Sequence, residues 1–200
     1  MTQTPTTKRL TFEEYLAYDD GTDTRYELVD GELIEMPPAR GLHAAIAEFL
    51  NDQFRAFIKK RSLPMVSKQG AIGVRIPQVG KRSTSRIPDV CVVTAEQWQG
   101  LLNRTAVLED SPPLLVVEVV SEGTKIIDYR RKRAEYNVIE IPEYWLVDFL
   151  EDDPKYAPGV TVLTLVEGFY EEAIFRGNDR IISQTFPELA LTVEQILSVI

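Results

Sequence analysis

The stretch Leu114-Leu-Val-Val-Glu-Val-Val120 constrains the fold more than any other, because it is apolar throughout except for Glu118. A continuous apolar run of this length suits a central strand covered on both faces. A carboxylate inside such a strand needs a cation, a proton or hydrogen-bond donors, since an unpaired buried charge costs on the order of several kcal/mol. Strand alternation puts Glu118 on the face of Val116 and Val120, opposite Val117 and Val119. The chain must therefore build a sheet with two apolar faces and supply a partner for a carboxylate on one of them.

The surrounding patterns supply the rest of that architecture. Thr11-Phe-Glu-Glu14 is a capping-box pattern that opens a short helix to about Tyr18. Arg25–Val29, Asp30-Gly31 and Glu32–Met36 read as a β-hairpin, with the Asp-Gly pair supplying the positive φ of a type I′ turn. Pro37-Pro38 ends its second strand. Apolar residues at Ile46, Phe49, Leu50, Phe54, Phe57 and Ile58 form a helical stripe within about Gly41–Arg61. Strands follow around Met65–Ile76, interrupted by Gly70 and Gly73. Pro77–Arg86 reads as a polar loop and Asp89–Thr94 as a strand. Thr124–Asn137 reads as a helix with a basic outer face, and Glu143–Phe149 as a buried strand. Residues 160–166 and 169–175 form a second hairpin, and Thr192-Val-Glu-Gln195 opens a terminal helix with another capping box. The order of strands and helices predicts an α/β (α+β) fold with a mixed central β-sheet flanked by helices. Residues 1–9 are expected to be a disordered start and 10–200 one domain, since 200 residues suit a single core.

Composition narrows the function. With 22 basic against 31 acidic residues the net charge is −9. Tight non-specific binding of nucleic acid, which rests on phosphate neutralisation, is disfavoured. Local basic patches can still guide a phosphate: Lys125, Arg130, Arg131, Lys132 and Arg133 form one, and Lys81, Arg82 and Arg86 another. The single cysteine, Cys91, excludes an internal disulfide and a cysteine-cluster zinc site, and reads as a small buried hydrophobe. No apolar run is long enough to span a bilayer, and the start of the chain lacks a signal-peptide pattern, so a cytoplasmic protein without membrane contact is expected.

The chemistry-bearing residues cluster around Glu118. Asp89 opens a strand after Pro88. Two strand-borne carboxylates aimed at one point make a hard-oxygen site of the kind magnesium or manganese prefers. The alternative is that Asp89 ends a turn and Glu118 pairs with a structural arginine. The helix after Glu118 carries Asp128, Lys132 and Tyr136 four residues apart on one face. Taken alone, Asp128–Lys132 reads as a plain surface pair. The only histidine, His43, sits near the start of a helix, as a general acid, a phosphate contact or a side chain bonded to backbone. Glu27 lies in the first hairpin, where a solvated role is open. Tyr144-Trp145 lies in an apolar strand and reads as core.

Pro88-Asp89, Glu118-Val-Val-Ser121, Asp128-x3-Lys132-x3-Tyr136 and Ile141-Pro-Glu-Tyr-Trp-Leu-Val-Asp148 resemble, in order and spacing, the Uma-two family, classed with restriction endonucleases of the PD-(D/E)XK superfamily. Tyr26-Glu-Leu-Val-Asp-Gly-Glu-Leu33 and His43 carry the resemblance towards the N-terminus, and it covers about residues 10 to 190. It implies a restriction-endonuclease-like fold and a metal-dependent DNA endonuclease using Mg2+ or Mn2+. Asp89 and Glu118 are then the metal ligands. The superfamily's lysine normally follows the acid by two residues, where this chain has Val120. The resemblance puts Lys132 in its place, with Glu27 as an added acid and Asp128, His43 and Tyr136 in support. DNA as substrate and a homodimer are the implied partners. The departure at Val120 and the acidic balance keep a second function open, a non-catalytic binding or scaffold protein on the same fold.

Overall fold

The computed structural model describes residues 9–78, 80–150 and 158–199. Helix α1, Phe12–Leu16, is capped by Thr11 in a capping box with Glu14. Strands β1, Tyr26–Val29, and β2, Glu32–Glu35, pair antiparallel. Their turn has positive φ at both Asp30 (50°) and Gly31 (82°), the type I′ geometry expected of an Asp-Gly pair. Helix α2 covers Gly41–Arg61. It ends on Ser62 in the left-handed region, with Lys59, Lys60 and Arg61 in its last turn, where their charge suits the helix dipole.

The Met65–Ile76 region splits where its glycines lie. Strand β3, Met65–Gln69, belongs to one sheet and β4, Gly73–Ile76, to another. Gly70, at φ 50°, turns the chain between them. A Cβ at Gly73 would stand 2.8 Å from Val107 Cγ2, so the close approach of the next strand requires glycine. The expected loop Pro77–Arg86 instead contains strand β5, Thr84–Arg86. Its three residues are too short a run to show alternation. Strand β6, Val90–Thr94, helix α3, Ala95–Leu101, and strand β7, Val107–Leu108, follow.

Strand β8, Leu115–Val120, is buried along its length. After it, a helical segment begins at Lys125 and includes a π turn over Ile127–Lys132 before α4, Arg133–Val138. The sequence predicted an uninterrupted α-helix here. The π turn's wider winding has no compositional signature, and such turns gather at functional sites. Strands β9, Glu143–Asp148, β10, Gly159–Val166, and β11, Phe169–Phe175, and helix α5, Val193–Leu197, complete the described chain.

Two mixed sheets result, where the sequence predicted one. The larger has strand order β11-β10-β9-β8-β6-β3, with β8 and β9 parallel at its centre. The smaller has order β2-β1-β5-β4-β7. One face of the larger sheet, with Val117, Val119, Trp145 and Val147, packs on Ile46, Leu50 and Phe54 of α2 and on Phe186 and Ile196 near the C-terminus. Phe54 stacks on Phe186 and meets Trp145 edge-on, at ring separations of 5.0 and 5.5 Å. The other face, with Val116, Val120, Tyr144 and Leu146, packs on Ile72, Val74 and Ile76 beside and within β4 and on Tyr136 of α4. Cys91 is buried on this second face, and burial raises its thiol far above the ordinary range. Tyr144 and Trp145 are core residues, fully buried on opposite faces. Of the expected disordered start, residues 1–8 lie outside the described residues. Arg9 is bonded to Asp30 and Glu32 at 2.9 and 3.1 Å.

Candidate active site

Glu118 faces the second core, between the larger sheet and the π turn. Its Oε1 accepts a hydrogen bond from the Tyr136 hydroxyl at 2.7 Å, and its Oε2 lies 2.8 Å from Lys132 Nζ. Lys132 Nζ is also 3.1 Å from Asp128 Oδ1. These side chains come from one strand and from the helix that folds back over it. All are buried. The anticipated alternative, an arginine partner for Glu118, is not what the structure holds. Nor is Asp128–Lys132 a surface pair.

Asp89 sits in a bend immediately before β6. The β6–β8 register ends at Val90↔Val117, and one further step brings Asp89 level with Glu118. Asp89 Oδ2 accepts from the Val119 backbone N–H at 2.7 Å and lies 3.2 Å from His43 Nε2. That leaves Oδ1 as the oxygen able to take a cation. His43, in the first turn of α2, therefore reaches the site through Asp89, and its buried Nδ1 has no hydrogen-bond partner among the described residues.

The electrostatics follow from burial. Desolvation pushes the Glu118 carboxyl up to about 8: Lys132 opposes the rise, while Asp89, Asp128 and Glu27 add to it. Asp128 is raised by the same burial, against the pull of Lys132. Burial works against the Lys132 ammonium, but Glu118 and Asp128 outweigh it and hold the lysine charged. Burial also lowers His43, and the hydrogen bond and charge of Asp89 more than reverse this.

Glu27 is buried, which removes the solvated role. It lies beside the site in a second network. Its Oε2 accepts from Arg86 Nη1 at 2.8 Å and its Oε1 from the Ile87 N–H at 3.0 Å. Arg86 also binds Glu135 through Nε and Nη2, at 2.7 and 3.1 Å. Arg86 was expected in a surface patch with Lys81 and Arg82, and the structure buries it instead. The expected patch on the helix is also largely engaged internally. Lys125 pairs with Asp148 at 3.3 Å, Arg131 with Glu135 at 2.9 Å and Arg133 with Glu172 at 2.6 Å. Sequence reasoning missed Arg86 and Glu135 as parts of the site's frame. The available signal was an arginine two residues before Pro88-Asp89.

The donor set suits a small hard cation. One or two carboxylates are what Mg2+ commonly takes from protein, with water and phosphate oxygens completing the shell, and Asp89 and Glu118 on neighbouring strands offer two. Among the described residues no three His, Cys, Asp or Glu side chains lie close enough to hold a metal between them, so such outside oxygens are needed. Val120, where a lysine would follow the acid, is buried core, and Lys132 reaches Glu118 from the helix.

The mixed sheet flanked by helices is a restriction-endonuclease-like fold, in which Asp89 lies level with Glu118 and Lys132 reaches Glu118 from the next helix. The chain belongs to the Uma2 family, described as "Putative restriction endonuclease", whose model matches residues 12–194. Among solved structures it resembles a protein described as a putative nuclease belonging to DUF820 from Anabaena variabilis ATCC 29413. The TM-score is 0.73 at 18% identity, covering 95% of this chain and 98% of that one. No curated protein matches the chain. Among the described residues no helix is long and apolar enough to cross a membrane.

Proposed function

We propose that this protein is a metal-dependent endonuclease that hydrolyses phosphodiester bonds of DNA, with Asp89 and Glu118 as ligands of Mg2+ or Mn2+. The observation that carries the reading is the convergence of Asp89, Glu118 and Lys132, with Lys132 Nζ 2.8 Å from Glu118 Oε2. A divalent ion bound there supplies a polarised scissile phosphate and a water of lowered pKa. The chain's own groups do the rest. Lys132 presents a fixed ammonium to the phosphate or to the attacking water. Asp128 holds Lys132. Tyr136 fixes the rotamer of Glu118, and His43 and the Val119 N–H hold Asp89 Oδ2 so that Oδ1 is turned to the ion. Glu27 acts through Arg86 and Glu135, keeping the helix against the sheets. A homodimer would bring one site to each strand of a duplex, and sedimentation equilibrium measures that state.

The test is cleavage of plasmid, single-stranded and branched DNA with Mg2+ or Mn2+. Wild type is expected to cut at least one of these, and Asp89→Ala and Glu118→Ala to cut none while keeping the wild-type circular dichroism spectrum. Cleavage undiminished in both variants would overturn the proposal.

A second reading, a non-catalytic binding or scaffold protein, is favoured by one observation. Both oxygens of Glu118 are satisfied by Tyr136 and Lys132 alone. Under that reading wild type neither cuts DNA nor takes up Mn2+.

A further inference from the structure

Three carboxylates meet at this site, but only two of them adjoin each other directly. Asp128 is set apart from Glu118 by the Lys132 ammonium, 2.8 Å from one carboxylate and 3.1 Å from the other. Those are ordinary ammonium-to-carboxylate distances, longer than the roughly 2.1 Å at which Mg2+ binds oxygen, and the ammonium fills the space between Glu118 and Asp128. Asp128 itself is almost wholly buried, its side chain 2% exposed. Its Oδ1 lies near the ammonium without an aligned hydrogen bond. Tyr144 fixes this part of the helix, its hydroxyl donating to the Asp128 carbonyl at 3.1 Å.

We infer that Lys132 occupies a second cation position, between Glu118 and Asp128, and so restricts the site to a single divalent ion, held by Asp89 and Glu118. The inference rests on the metal-dependent reading above and adds the number of ions and the residue that sets it. A lysine there supplies a permanent positive charge with no exchange with solvent. Asp128 is then a positioning residue for that charge and does not ligate the bound ion. Lys132→Met keeps most of the aliphatic stem and removes the charge, so the vacated position is open to a second ion.

Calorimetric titration with MnCl2, checked by the electron paramagnetic resonance signal of free Mn2+, counts the ions. Wild type is expected to bind one Mn2+ per chain. Lys132→Met is expected to bind two, and Lys132→Met/Asp128→Asn to return to one. Asp128→Asn alone is expected to keep one ion, with a Kd changed by less than about tenfold, or about 1.4 kcal/mol. Two ions in wild type, one in a folded Lys132→Met, or loss of the ion in Asp128→Asn would each overturn the inference and leave the nuclease reading standing. Lys132→Gln, which also removes the charge, is expected to bind two ions and decides the matter if Lys132→Met does not fold. No binding by wild type at all would overturn the metal-dependent reading and this inference with it.

Discussion

Two glutamates stand in apolar strands of the same sheet, and their fates differ. Glu118 faces a lysine and a tyrosine beside Asp89, whereas Glu143 accepts from the Trp145 indole and from the Thr185 backbone N–H, both at 2.6 Å. The first lies in the candidate site and the second ties the C-terminal segment to the sheet. A carboxylate in an apolar run announces only that a partner must exist. The identity of the partner depends on side chains that arrive from elsewhere in the chain. Glu118 was legible because it interrupts its strand. Glu143 begins its strand and so breaks no apolar run. Arg86 looked like a surface cation because its flanking sequence is polar. At this scale Tyr136→Phe is an informative change, since it removes one hydroxyl and leaves a buried carboxylate oxygen without its donor. Urea denaturation should show a loss of about 1–3 kcal/mol. A variant as stable as wild type would mean that water replaces the hydroxyl.

The elements most faithfully read were those whose signal is local. Three capping boxes, at Thr11, Thr94 and Thr192, open helices, two of them foreseen. The Asp-Gly hairpin and the long helix α2 also formed where periodicity and turn chemistry placed them. The elements that escaped are short or irregular: β5, α3, β7 and the π turn, none long enough to show a clear period. Pairing between sheets escaped as well, because Gly70 and Gly73 mark an interruption without saying that the chain changes sheet there. Arg86 on β5 is what this costs a sequence reader. It joins Glu27 of β1 to Glu135 of α4 and so fastens the smaller sheet to the helix that carries Lys132. Arg86→Met would leave Glu27 buried without its cation and Glu135 with Arg131 alone. The expected loss is about 3–5 kcal/mol by chemical denaturation. A loss below about 1 kcal/mol would show that water enters the junction.

Across the whole molecule, the tyrosines make stability depend on alkaline pH. Burial raises Tyr136 and Tyr144 well above their ordinary value, and raises Tyr15, Tyr129 and Tyr170 as well. The unfolded chain releases these protons near pH 10, while the folded chain retains them. The unfolded state is therefore favoured as pH rises past 10, and the stabilising contribution present below that pH is lost. The urea midpoint should fall steeply between about pH 9 and about pH 11, around the ordinary tyrosine value of about 10. Tyrosinate absorbance should rise together with loss of secondary structure. Early ionisation of most tyrosines in a still folded protein would contradict the packing of the second core.

The enclosure of Lys132 also makes it a clock for the opening of the fold. Amine-directed acylating reagents need an uncharged, accessible nitrogen, and this one is buried and held in its charged form by two carboxylates. Lys59, Lys60 and Lys81, on the surface, take label at the reagent's own pace. Lys132 takes it only in molecules that have opened, so its label, read by peptide mass, accumulates at the frequency with which the helix leaves the sheet.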